Sequence, residues 1–191
     1  MINNAILAGI VIGLGGLINL HVGAPVGPFL FSVGLMSVLV FKMDLFTGKA
    51  GLLASGEITP KKLLDVWGGN LMGAFLIGAL VTISQDSVAI TAARKICEIR
   101  LANGFLVNCC LGIYCGLLMY IAVTGFQKTG SFIIAIFPVA AFILAGFNHC
   151  VADMFYVFVS GNFETWWELI PTTIGNIIGC NIIPLLKKAR L

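Results

Sequence analysis

The chain has 191 residues, of which 59% are hydrophobic and 10% charged, against roughly half and roughly a quarter in soluble domains. That balance excludes a soluble globular fold, whose polar surface could not cover so much apolar side chain. The net charge of +3 comes from basic residues at segment ends with no aromatic-interleaved patch, which argues against a nucleic-acid partner and for a lipid bilayer.

Six apolar runs follow one another: 5–20, 24–41, 63–84, 105–123, 131–147 (continuing past His149 to Val159) and 168–186. A membrane helix takes roughly 20 apolar residues, so six fill one domain over 1–191 with short connections. No Lys or Arg precedes Lys42, so the first run lacks the charged start of a secretory signal and is expected to stay as a structural helix. His21, near its end, is expected at the interface.

With six spans, one side collects Lys42, Lys49, Lys61, Lys62, Lys128, Lys187, Lys188 and Arg190, and the other only Arg94, Lys95 and Arg100. The positive-inside rule then predicts both termini in the cytoplasm of a bacterial inner-membrane protein, with Trp166 and Trp167 at the outer interface.

Two segments break the helical pattern at membrane depth: 42–49, and Asn148 through Asp153 to Asn162. Lipid cannot satisfy irregular backbone or charge, so each interruption is expected to be buried in protein or to line a cavity.

Gly69-Asn70-Leu71-Met72-Gly73 recurs as Gly175-Asn176-Ile177-Ile178-Gly179, offset by 106, and Asp44-Leu45-Phe46 recurs as Asp153-Met154-Phe155, offset by 109. Three spans per half enter the membrane with opposite orientations, which predicts an inverted repeat of halves at roughly 1–90 and 100–191. The glycines are read as close helix contacts.

His149 is the histidine deep in an apolar span. A buried imidazole satisfied by a neighbour is one reading; its place beside Asn148, with Thr47 in the matching region of the first interruption, favours a pore role as a hydrogen-bond donor to an anion. Asp44 and Asp153 are read as loop-fixing carboxylates ahead of a proton relay. Phe31, Leu35, Leu45, Phe46 and Phe142 are candidate constrictions, although helix packing alone accounts for their periodicity. The cysteines Cys97, Cys109, Cys110, Cys115, Cys150 and Cys180 show no metal-ligand spacing, and no metal or cofactor is expected.

Three segments carry a resemblance to the formate/nitrite transporter family: 31–35 leading to 44–48, 137–140 leading to 145–155, and 170–179. The resemblance implies an all-α integral membrane protein of six transmembrane helices in an inverted three-plus-three repeat, with interrupted second and fifth helices and an aquaporin-like protomer. It also implies a homopentamer whose protomers each pass formate, nitrite, hydrosulfide, lactate or acetate. By motif position, His149 matches the central pore histidine and Thr47 the loop threonine facing it. Phe31, Leu35, Phe46 and Phe142 match constriction positions, and Arg100 stands where the family carries a basic residue before the fourth helix.

Three departures stand out: Gly116 falls where many members carry a pore asparagine, Asn148 replaces a common acidic residue, and Lys42 replaces a small one. The expected function is a channel or channel-like transporter, not an enzyme, passing a small monovalent weak-acid anion with a proton. Arg100 is expected to draw the anion in, and water or His149 to supply the proton. The alternatives are a neutral-solute channel of the water or glycerol kind, and a membrane redox or accessory subunit using the cysteines.

Overall fold

A computed structural model describes residues 2–189; Arg190, counted above among the basic residues, lies outside them. The elements are α1 (Ile2–Val22), α2 (Val26–Val40), α3 (Phe46–Ala50), α4 (Pro60–Ile83), α5 (Ser87–Thr129), α6 (Ile133–Leu144), α7 (Cys150–Ser160), a 3-10 turn (Phe163–Glu168) and α8 (Leu169–Lys188). α1, α4, α5 and the segment ending in α8 are long and apolar enough to cross a bilayer. The second and fifth apolar runs are each divided, into α2 and α3 and into α6 and α7.

Local chemistry sets the ends of these helices. Thr59 Oγ1 accepts from Lys62 N and Pro60 opens α4, while Asp86 accepts from Ala89 N at the start of α5. α5 is kinked at Gly104 (φ 70°), a left-handed conformation that suits a residue without Cβ. The stretch 87–103, expected as a connection, is therefore helical. Ala89, Ala93 and Cys97 recur every four residues and are buried, Arg100 continues that stripe one turn later, and Arg94, Lys95 and Glu98 are exposed.

Helices α1 and α4 approach so closely that a Cβ on Gly73 would sit 2.0 Å from Ile6 O, and one on Gly9 would sit 2.1 Å from Asn70 O. The same contact recurs between α5 and α8, where a Cβ on Gly179 would sit 2.1 Å from Ile113 O and one on Gly175 would sit 2.2 Å from Cys109 O. Backbone contact of this kind is how membrane helices gain dispersion energy without a hydrophobic drive.

The asparagine inside each GNxxG segment does the rest. Asn70 Oδ1 accepts from Phe46 N at 2.8 Å, and its Nδ2 donates to Ala5 O and Asp44 O. Asn176 Oδ1 accepts from Cys150 N at 2.9 Å, and its Nδ2 donates to Gly112 O and Asn148 O. Each asparagine thus satisfies the backbone groups exposed where a helix is interrupted, so the breaks persist without water or lipid partners.

This bonding corrects the repeat register. Phe46 is equivalent to Cys150, so Asp44 pairs with Asn148, Leu45 with His149 and Lys49 with Asp153. The DLF and DMF triplets are not equivalents; hydrogen bonding, not the short sequence match, fixes the alignment.

Candidate functional site

Two cavities lie at opposite ends of α2. One, of about 390 Å³, is lined near the start of α2 by Pro28 and Phe31, with Asn19, Lys95, Arg100, Phe142, His149 and Tyr156. The other, of about 330 Å³, is lined near the end of α2 by Val38, with Lys42, Leu45, Lys49, Val123 and Phe126. Each carries two basic side chains, and neither has an aspartate or glutamate among its described lining residues.

Between them the interior is closed by buried side chains. Phe31, Leu35, Leu45 and Thr47 are each 1% exposed, and Phe142 and His149 are each 2% exposed. Phe142 stacks on the His149 ring with centroids 5.5 Å apart, and Phe31 meets Phe142 edge-on at 6.0 Å.

At the centre Thr47 Oγ1 lies 2.9 Å from His149 Nε2. His149 is the N-cap of α7, and its Nδ1 accepts from Ala152 N at 3.2 Å. A backbone N–H can only donate, so Nδ1 carries no proton; the neutral ring holds its proton on Nε2 and donates it to Thr47. The Thr47 hydroxyl proton is then left to donate onward, at the positive end of the α7 dipole.

Arg100, at the inner wall of the first cavity, is not a free charge at the mouth. Its Nη2 lies 2.9 Å from Asp153 Oδ1, with 12% of the arginine side chain and 2% of the aspartate exposed, and its Nη1 donates to Asn148 Oδ1. Asn148 donates to Asn108 Oδ1 and Thr172 Oγ1, and Asn108 donates to Arg100 O and Glu168 Oε2. At the corresponding place in the first half, Lys49 Nζ pairs with Asp44 Oδ1 at 3.0 Å. Both aspartates thus tie an interruption in place through a basic partner.

Two expectations are corrected. Gly116 does not line the central chamber: a Cβ there would sit 2.5 Å from Asn176 O, so α8 leaves no room for the asparagine expected at that position. The buried asparagine of α5 that reaches the site is Asn108, and the pattern gave no sign of it because it sits among apolar residues. Phe46 lines neither cavity; bound through its N–H to Asn70, it faces an apolar groove of about 470 Å³ with Trp67, Trp166 and Ile174. In the sequence Asn70 and Asn176 stand out only as parts of a glycine motif. Lys42, in the second cavity, has a left-handed backbone (φ 52°), which explains why a small residue suits that place.

The profile of the family described as Formate/nitrite transporter matches residues 1–187. The chain is 30% identical to the protein named Formate channel FocA of Escherichia coli (strain K12), covering 83% of this chain and 70% of that one. It is also 30% identical to Uncharacterized transporter YrhG of Bacillus subtilis (strain 168), covering 91% and 77%. A solved structure titled Pentameric formate channel with formate bound superposes with a TM-score of 0.83 at 26% identity, covering 99% of this chain and 95% of that one. One titled FNT family ion channel superposes at 0.85 with 20% identity, a likeness of fold. With divided second and fifth apolar runs, multiple membrane-crossing helices and a match along nearly its whole length, the chain belongs to the formate/nitrite transporter family.

Proposed function

We propose that this protein is a channel for a small monovalent weak-acid anion of the formate kind, which crosses together with a proton through each protomer of a homopentamer. One observation carries the reading. Two cavities with basic linings and no carboxylate among their described lining residues, one lined by His149 and the other by Leu45 and Gly48 on either side of Thr47, are separated by a buried Thr47–His149 pair set among apolar side chains. A vestibule of one sign concentrates the opposite ion, and an apolar constriction penalises that ion's charge. As the surroundings lose polarity the acid takes up a proton and crosses neutral.

The proton comes from vestibule water. His149 is a fixed donor, because a neutral imidazole that gives up Nε2–H becomes an imidazolate, and a doubly protonated ring would displace the Ala152 N–H from Nδ1. The Thr47 hydroxyl, polarised by His149, offers the hydrogen bond to the passing carboxylate. The names of the E. coli relative and of the formate-bound pentamer support the substrate class and the assembly. The division of basic residues supports both termini on the cytoplasmic side.

Purified protein in liposomes tests this through uptake of formate, nitrite, hydrosulfide, acetate and lactate, with glycerol and water permeation measured alongside. Saturable formate uptake that an inward proton gradient accelerates is expected. Glycerol or water flux without anion uptake would replace this reading with a neutral-solute channel.

A further inference from the structure

The fork of Arg100 reaches two positions on α7 at once: Asn148, immediately before the His149 cap, and Asp153, in the first turn. Asp153 is 2% exposed, and its Oδ1 pairs with the arginine. One guanidinium and one carboxylate therefore form a unit of zero net charge, in which Arg100 lines the first cavity beside His149 and Asp153 stands buried behind it. The pair is mostly buried, so salt screens it far less than an exposed pair, and any imbalance between its two charges is felt in the cavity that Arg100 lines.

We infer that the net charge of the Arg100, Asn148 and Asp153 unit sets the anion affinity of that cavity, with Asp153 as the specificity-determining residue. This rests on the anion-channel reading and says how its site is tuned. A bare Arg100 one side chain away from the path would hold an anion too tightly to release it. A second carboxylate would repel the anion from the same place. Conduction needs binding strong enough to enter and weak enough to leave, and neutrality at this wall meets both demands. Lys95, exposed on the same cavity, retains the attraction at longer range.

Because Arg100 already contacts both positions, a carboxylate at either one would neutralise it, and four proteins form a charge series on nearly identical shapes. Asn148→Asp gives one negative charge in excess, wild type and the double variant Asn148→Asp with Asp153→Asn give none, and Asp153→Asn gives one positive charge in excess. Formate uptake into liposomes is measured for all four after gel filtration has shown the wild-type oligomer. Asn148→Asp is expected to raise KM by about tenfold with little change in maximal rate, and Asp153→Asn to lower KM by about tenfold and slow the maximal rate, as a unit charge within a few ångströms of the path requires. The double variant returns KM to within about twofold of wild type, which loss of packing would not do. If one single variant fails to assemble, the other single and the double decide between charge and packing. Wild type that takes up formate while KM stays the same in every assembled variant overturns the charge assignment and leaves the channel reading intact. So does a double variant no closer to wild type than the singles. Wild type that takes up no anion overturns both.

Discussion

Thr47 and His149, one from each half of the chain, share a hydrogen bond of 2.9 Å at the point where the two interruptions meet. The bond is directional, because Ala152 N occupies His149 Nδ1 and leaves Nε2–H to donate to Thr47. The interruption in each half thus supplies one member of a single polar contact in an apolar interior.

Thr47→Val keeps the shape of the side chain and removes the acceptor that His149 Nε2–H has among the described residues. A buried donor left without a partner costs about 1–3 kcal/mol. The variant is expected to melt at lower temperature in detergent and to lose most formate uptake, while Thr47→Ser keeps both. Uptake by Thr47→Val at the wild-type rate would remove the hydroxyl from the transport path.

His149→Asn separates the cap from the donor. Asparagine is a good N-cap and retains an acceptor for Ala152 N, so α7 and the oligomer are expected to survive. The Nε2–H to Thr47 and the stacking on Phe142 are lost. Uptake should fall by about one order of magnitude, the factor given by about 1.4 kcal/mol of lost hydrogen bonding. A fixed donor predicts the same factor at acidic and at neutral pH. A factor that changes with pH, measured on assembled protein, would give His149 the proton-supplying role.

The broken helices and the Thr47 and His149 pairing were legible because charge, glycine and histidine stand out against apolar runs. Asn70, Asn108 and Asn176 were not, since an amide in a polar loop and an amide that bridges a broken helix look the same until their partners are known. Asp44 and Asp153 were aligned on three-letter matches, and only the bonds to Asn70 and Asn176 reveal the shifted register. Gly116 was placed by a local motif, whereas its side is decided by which face of α5 meets α8. The charges of 87–103 suggested a connection, although Ala89, Ala93 and Cys97 carry the buried stripe of a helix.

Gly73 and Gly179 occupy matching contacts, and the atoms facing them are backbone, which cannot rotate away. Gly73→Ala and Gly179→Ala are each expected to force the helices apart and cost about 1–3 kcal/mol. Gly68→Ala, next to the same α4 face but with nothing within 4 Å of an added Cβ, serves as the control. It is expected to be neutral or stabilising through helix propensity. The check is the thermal midpoint of the detergent-solubilised oligomer by size-exclusion chromatography. Equal midpoints for the three variants would show that these contacts do not limit stability.

Lys95 and Lys42 stand on the two cavities, are exposed, and make no ion pair among the described residues, whereas Arg100 and Lys49 each have a carboxylate partner. The free charges, not Arg100, are therefore the ones that reach into solution. At about 0.01 M salt the Debye length is about 30 Å and each lysine attracts an approaching anion; at about 1 M it is about 3 Å and the attraction is screened. Lys95→Gln is expected to lower the initial rate of subsaturating formate uptake by about threefold at low salt for entry from its own side, and Lys42→Gln for entry from the other. Both deficits should disappear at high salt. Arg100→Gln should behave differently, because it strands the buried Asp153 carboxylate and costs about 3–5 kcal/mol of stability at any salt concentration. Uptake into vesicles of defined orientation at the two salt concentrations separates the cases: a lysine deficit that persists at high salt would place that side chain in the path itself and not at its mouth.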